Sequence, residues 1–462
     1  MTELPIPLRS NPGAFRLQGE PRIINAYPQN EGDELKARNV LIPVSGQTRF
    51  GGSLDLLSPC RGMIFIQEED EFYCVAGFGL HSVDENGTST KLLTVAGGGN
   101  VYFARNDAET VQTVCVIEGR AYIIEGGTAT YTPYSFTPKG VTFCGGYFVF
   151  WEDKGRFWVS ALRDTTVDGL SFATAEGDPD GLIKVHGSLN TLYLIGERTI
   201  EIWQVTGADF PFAKVGGAHL RFGSLSPHTI KDYANGVALV ANDNQVYLID
   251  GFNHSVISSN EVCRLIEGEA DKSTITAFTY NRDGNKFYTL QGTGWTREYN
   301  STTGTWADRR TGPVGQWDAL HAIEAWGKTI FGSRSGGQFS EADTSLFTEN
   351  GLELIWGFDT TIFHASPKGL YFGRVDIDVE TGHGDPTDDE PLLMLSWSDD
   401  NGRTTKETRH LGIGYRGNYK KSVRTNRLGS CNEKGRQFSI RISDPVIRGI
   451  SGMYVEASQV TR

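Results

Sequence analysis

The densest run of side chains able to do chemistry is "DIDVETGHGDP" at 376–386. It places Asp376, Asp378 and Glu380 on one strand face and adds His383 and Asp385 in the following turn. Carboxylate oxygens gathered this way are the ligand type of calcium or another hard cation. Alternating acids more commonly guard a solvent-facing strand edge by charge, and that reading is preferred, so no metal site is expected.

Other motifs dissolve in their context. "SDDNGRTT" at 398–405 follows the Asp-box pattern, in which an Asp side chain and a left-handed Gly lock a hairpin turn, although Thr405 stands where an aromatic is usual. "WEDKGRFW" at 151–158 keeps the Asp, Gly and aromatic of that pattern and lacks its leading Ser. "GIGYRG" at 412–417 is formally G-x-G-x-x-G, yet "NYKKSVRTNRLG" follows it, which no helix with a phosphate-binding N-terminus would use, so a hairpin is expected. "WGKTI" at 326–330 has the Gly-Lys-Thr of a P-loop, but Ala322 occupies the position of its first glycine, and a strand start is expected.

No G-x-S-x-G, no H-E-x-x-H and no catalytic Cys/His neighbourhood is present, and the nine histidines, among them His186, His219 and His321, are scattered singly. The six cysteines, Cys60, Cys74, Cys115, Cys144, Cys263 and Cys431, form no C-x-x-C pair and are read as reduced, buried small hydrophobes. Asn86-Gly87-Thr88 and Asn300-Ser301-Thr302 match the glycosylation triplet and are read as turn residues, since the N-terminal segment lacks the apolar core of a secretory signal. No catalytic residue, no cofactor and no enzymatic activity are expected.

The elements that carry these residues are strands. Fifty-six glycines, 25 phenylalanines, 17 tyrosines and 9 tryptophans in 462 residues describe short aromatic strands joined by glycine turns, an all-β chain. The best helix candidate, "NEGDELKARNV" at 30–40, suits a solvated loop equally well, and no apolar run is long enough to span a bilayer. From 61 to about 350, units such as "TVCVIEGRAYIIEGG", "YFVFWEDKGRFWVSA" and "GVALVANDNQVYLIDG" recur every 40 to 45 residues or so, the length of a four-stranded propeller blade. Runs such as 147–151 and 192–195 are apolar at every position, so both faces are covered, as between stacked blades. Seven units are visible; because the first and last could share one blade, six blades are favoured over seven.

Near 351 the cadence stops. An N-terminal arm (1–60), a β-propeller (61–350) and a C-terminal β-sandwich-like domain (351–462) are expected. Nine carboxylates and no Lys or Arg lie between 376 and 400, whereas eight basic residues and only Glu407 lie between 403 and 427. Such polarity suits head-to-tail contact, with Asp376, Asp378, Glu380 and Asp385 meeting Arg416, Lys420, Lys421, Arg424 and Arg427 of a neighbouring subunit or partner. Two solvated loops on opposite edges of one sheet would explain it as well.

The segment "DPDGLIKVHGSLNTLYLIGERTIEIWQVTGADFPFAKV" at 178–215 resembles the packaged-DNA stabilisation proteins, the tail hub or nozzle proteins of short-tailed, podovirus-type bacteriophages. "RIINAYPQN" (22–30), "VSGQTRFGG" (44–52) and "LSWSDDNGRT" (395–404) fit the same family, while "TRFGG" replaces its frequent Pro-Gly-Leu and marks a distant relative. The resemblance implies a structural virion protein of the tail, assembled in the bacterial cytoplasm as a homo-hexameric ring below the portal and adaptor. It further implies contact with tail fibre, tailspike or tail needle proteins, passage of double-stranded DNA without sequence recognition, and no catalytic residues. The net charge of −13 agrees, because an acidic wall lowers adhesion of a translocating polyanion. The competing readings are a sialidase-like or glycan-binding propeller at the tail tip, suggested by the Asp-box turns, and an adhesin touching the host through exposed aromatics such as Trp203 or Trp295.

Overall fold

Two-residue turns set the architecture. Asp283-Gly284 (φ +47° and +74°) and Trp326-Gly327 (φ +52° and +72°) hold both central residues in the left-handed region, as the hairpin turn matching strand twist requires. "WGKTI" is therefore a tight hairpin, with Ala325 paired to Lys328 across it. The computed structural model describes residues 1–30, 39–51, 58–95, 97–99, 101–152, 155–175, 180–312, 315–384, 390–446 and 449–460. The helix candidate at 30–40 falls largely outside them.

Six consecutive antiparallel four-stranded meanders follow from residue 60. Blade 1 begins with Cys60–Ile66, blade 2 with Val101–Arg105, blade 3 with Gly140–Cys144, blade 4 with Leu182–Ser188, blade 5 with Lys231–Tyr233 and blade 6 with Thr276–Arg282. Blade 7 has three strands of its own, Ala319–Ala325, Lys328–Ser333 and Phe339–Asp343, and takes its fourth, Gly46–Phe50, from the N-terminal region. The propeller thus has seven blades, correcting the preference for six. Blade 1 owns four strands, and the shared blade is closed by a segment nearly 300 residues upstream of its partner. First strands of successive blades approach one another, those of blades 4 and 5 through His186 and Asp232, and those of blades 7 and 1 do likewise, so the seven first strands surround a common axis.

The uniformly apolar runs sit between blades. In "YFVFW" of blade 3, Phe148 and Phe150 enter the core shared with blade 2, while Val149 and Trp151 enter the core shared with blade 4. In blade 4, Leu192 and Leu194 face blade 3, while Tyr193 and Ile195 face blade 5. Full burial of each such side chain stabilises by about 1.5–3 kcal/mol relative to exposure.

The C-terminal region forms two sheets over a separate core that includes Trp356, Phe372, Leu395, Phe438 and Val455. One sheet orders Ala26–Asn30, Asn39–Pro43, Ile450–Val460, Gly369–Val379 and Val423–Cys431, with Thr2–Leu4 paired to Ile450–Val460. The other runs from Arg22–Ile24 through Trp356–Asp359, Gln437–Ile442 and Leu392–Ser398 to Glu407–Gly412. The same Arg22–Ile24 strand pairs with the last strand of blade 6, Thr305–Asp308, so one nine-stranded sheet crosses from propeller to sandwich.

That crossing is ionic and buried. Asp308 takes Arg310 at 2.7 Å, Arg22 at 3.2 Å and Arg297 at 3.4 Å, and Glu261 takes Arg297 at 2.7 Å and Arg22 at 3.1 Å. Burial alone would raise the Asp308 carboxyl, but Arg297, Arg22 and Arg310 outweigh it and hold the carboxyl below its usual range. Asn25, at φ +51°, donates to the carbonyls of Arg310 and Ile355 and accepts from the Arg310 amide, tying the chain beside the joint. Glu261 comes from Asn260–Gly268, the one α-helix among the described residues, which Ser259 caps through the Val262 amide. No helix among the described residues is long and apolar enough to cross a membrane.

Candidate subunit-contact surface

The strand Gly369–Val379 alternates strictly beyond a bulge. Val375, Ile377 and Val379 enter the core, so Arg374, Asp376 and Asp378 lie on the outward face. Asp376 sits opposite Arg424 of the neighbouring strand, and Arg374 forks onto it with Nε 2.8 Å and Nη2 2.5 Å from the carboxylate oxygens. Glu380, just past the strand, lies 3.1 Å from His383 Nε2. Asp385 lies outside the described residues. The acidic and basic segments therefore meet in both sheets, Gly369–Val379 beside Val423–Cys431 in one and Leu392–Ser398 beside Glu407–Gly412 in the other, and part of their charge is neutralised within the chain.

The basic segment is the connection from Glu407–Gly412 to Val423–Cys431, strands of different sheets, so the hairpin expected at 412–417 is instead a crossover. Lys421 Nζ reaches Glu390 Oε1 at 3.0 Å, and the same oxygen accepts the Gly414 amide at 2.9 Å, which pins the base of the loop. Arg409 stacks on Trp397 and donates to the Asn426 and Arg427 carbonyls, holding the start of the edge strand. Arg416, Lys420, Arg424 and Arg427 are exposed and make no ion pair among the described residues. Tyr415 and Tyr419, 50% and 65% exposed, stand among them. Charge counting missed these tyrosines; the signal was their interleaving with cations in "YRGNYKK", a composition suited to protein contact.

The turn in "SDDNGRTT" is structural. Asp400 accepts the amides of Arg403 and Thr404 and the hydroxyls of Ser398 and Thr404, while Asn401 and Gly402 take positive φ. The Thr404 and Ser398 hydroxyl bonds, with the backbone amides, hold the Asp400 carboxyl well below its usual range. Asp399 points the other way and receives Arg436 in a fork of 2.6 and 2.9 Å; that guanidinium is buried between Phe372 and Trp397. Asp153 of "WEDKGRFW" lies outside the described residues.

Other singled-out residues are internal. Trp295 is 7% exposed and donates to Glu269, so it is not an exposed aromatic, which corrects that expectation. Its strand, Trp295–Asn300, is packed on both faces. Trp203 donates to Glu201 and meets Phe157 edge-on. His186 lies 3.2 Å from Asp232 on the next blade. All six cysteines are free; five are buried, whereas Cys263 lies half-buried on the helix, where a buried hydrophobe was expected. Among the described residues no group of three or more His, Cys, Asp or Glu is arranged to hold a metal ion.

Comparison with known proteins covers both halves of the chain. Residues 22–345 match the family model described as bacteriophage P22 Gp10, beta-propeller. Residues 355–458 match the model described as bacteriophage P22 Gp10, beta-sandwich. No curated protein matches the chain. Among solved structures it is similar to the WD40 β-propeller domain of Doa1, with 13% identity, a TM-score of 0.41 and coverage of 65% of this chain and 97% of that one. It is similar also to YCF48 bound to D1 peptide, with 10% identity, a TM-score of 0.42 and coverage of 63% and 96%.

Proposed function

The chain belongs to the bacteriophage P22 Gp10 family of structural tail proteins, and on that premise we propose that it builds a six-membered ring of the tail hub or nozzle. The ring extends the DNA channel below the portal and adaptor, retains packaged DNA and lets it pass during ejection. The observation that carries this reading is the family match across both the propeller and the sandwich.

Two physical features support it. The net charge of −13 suits a conduit that must not hold a polyanion by phosphate neutralisation. Within each propeller, Tyr102 of blade 2 reaches across the axis to stack on His228 before blade 5, at 6.0 Å between ring centroids. A duplex cannot thread a propeller bridged in this way, so the DNA path is the lumen enclosed by the ring of subunits.

The outward face of the sandwich is the surface we assign to a neighbouring subunit or to a portal, adaptor or tail-appendage partner. Asp376, Glu380 and Glu390 have intramolecular partners, whereas Arg416, Lys420, Arg424 and Arg427 are unpaired among the described residues. The cations therefore offer themselves to an acidic surface, with Tyr415 and Tyr419 supplying apolar area. The protein acts by assembly and does no bond chemistry.

Particles assembled without this chain should fill with DNA and then lose it, as read from the fraction of DNA-containing heads after purification. Heads that keep their DNA to the same extent as intact particles would contradict the proposal.

A further inference from the structure

The axis of the propeller gathers cations that the tail function does not use. Lys184 of blade 4 points inward, donates to the Ile230 carbonyl at 2.9 Å and lies 5.9 Å from the Tyr102 ring centroid. Tyr102 packs edge-on against Trp151 of blade 3 and stacks on His228. Lys231 opens the first strand of blade 5, and His321 lies on the first strand of blade 7, where its ring hydrogen-bonds the Arg61 backbone. Arg334 donates to Gln291, and its buried Nε has no hydrogen-bond partner. Lys231, His228 and His321 are each partly accessible.

The acid inventory does not match. Asp232 is engaged by His186 and offsets part of the charge of Lys184 and Lys231 without reaching either in an ion pair. Asp318 accepts from the Ser333 hydroxyl and the Ser335 amide. Neither Lys184 nor Lys231 has a carboxylate within ion-pair distance among the described residues. Like charges only partly compensated by Asp232 and Asp318 repel when held together away from water, and an anion placed among them removes that cost.

We propose that the propeller axis holds a binding site for a small phosphate-class oxyanion, enclosed by Lys184, Lys231, His228, His321 and Arg334 and bounded by the Tyr102 ring. The cations approach from blades 4, 5 and 7, an arrangement that suits a tetrahedral ligand better than a planar carboxylate. Burial first, and then repulsion from Lys231, lower Lys184 to about 7. Burial and the same lysine lower His228 to about 3 and His321 to about 3, so both rings are neutral near neutral pH; the single N–H of His321 goes to the Arg61 backbone, which leaves His228 as the ring that offers a donor. The site is independent of the sandwich face and of the ring proposed above.

Isothermal titration of the full chain with inorganic phosphate, at ionic strength fixed with sodium chloride, should show saturable binding of about one ion per chain. Lys231→Met should weaken that binding by about ten-fold or more, the loss of one charge-assisted hydrogen bond. His228→Phe keeps the stack on Tyr102 but removes the ring nitrogens, and it should weaken binding too. Absence of saturable binding by the native chain, or native affinity in both variants, would overturn the site. If circular dichroism shows that Lys231→Met does not fold, His228→Phe decides alone, and native affinity in it overturns the site.

Discussion

Asp308 has no solvent-accessible side-chain surface, and three arginines reach it from the N-terminal strand and from blade 6. Removing that carboxylate strands buried positive charge, so Asp308→Asn should cost about 3–5 kcal/mol in urea unfolding. Because the folded carboxyl titrates below the ordinary Asp value, its contribution is complete above about pH 4 and is lost as pH falls through the lower folded value. The native chain should therefore lose stability on the acid side more steeply than Asp308→Asn, as thermal melts at a series of pH values would report. Nothing in the sequence marks this joint: Arg22, Glu261, Arg297 and Asp308 are scattered over nearly 290 positions, and only tertiary folding brings them together. The axial lysine Lys184 and its neighbour His186 were likewise visible only as strand residues, since their convergence with Lys231 and His321 depends on the ring closing.

At the scale of elements, the blades were legible because each hairpin carries its own turn chemistry and its own doubly buried strands, as 147–151 shows. The number of blades was not legible. Gly46–Phe50 reads as an isolated short strand, and its partner Phe339–Asp343 lies far along the chain. The helix Asn260–Gly268 is barely legible, because only nine residues sit between blade strands, with Ser259 as their main signal. The loop at 413–422, which crosses between the two sheets of the sandwich, carries a prediction of its own. Arg416, Lys420 and Arg424 make no intramolecular ion pair among the described residues, so reversing all three to Glu should leave the melting temperature of the isolated chain nearly unchanged while abolishing assembly into particles. A stable but assembly-competent triple variant, scored by infectivity, would remove this face from the contact surface.

For the whole molecule, the acidic charge, the side chain bridging the propeller axis and the sheet continuous with the sandwich describe a rigid building block rather than a pore in itself. A channel for DNA then requires several copies around a shared lumen, and charge that repels phosphate keeps that lumen from holding its cargo. The family was legible from the 178–215 segment, but assembly leaves only the charge layout of 376–427 as its trace, and half of that layout turns out to be spent inside the sheet. The most direct test of the central claim is the mass gained when the purified chain is mixed with the portal–adaptor complex of its own phage, measured by light scattering. Six copies of 50.8 kDa should add roughly 305 kDa in a single step. A stable dimer that adds no mass to the portal–adaptor complex would contradict it.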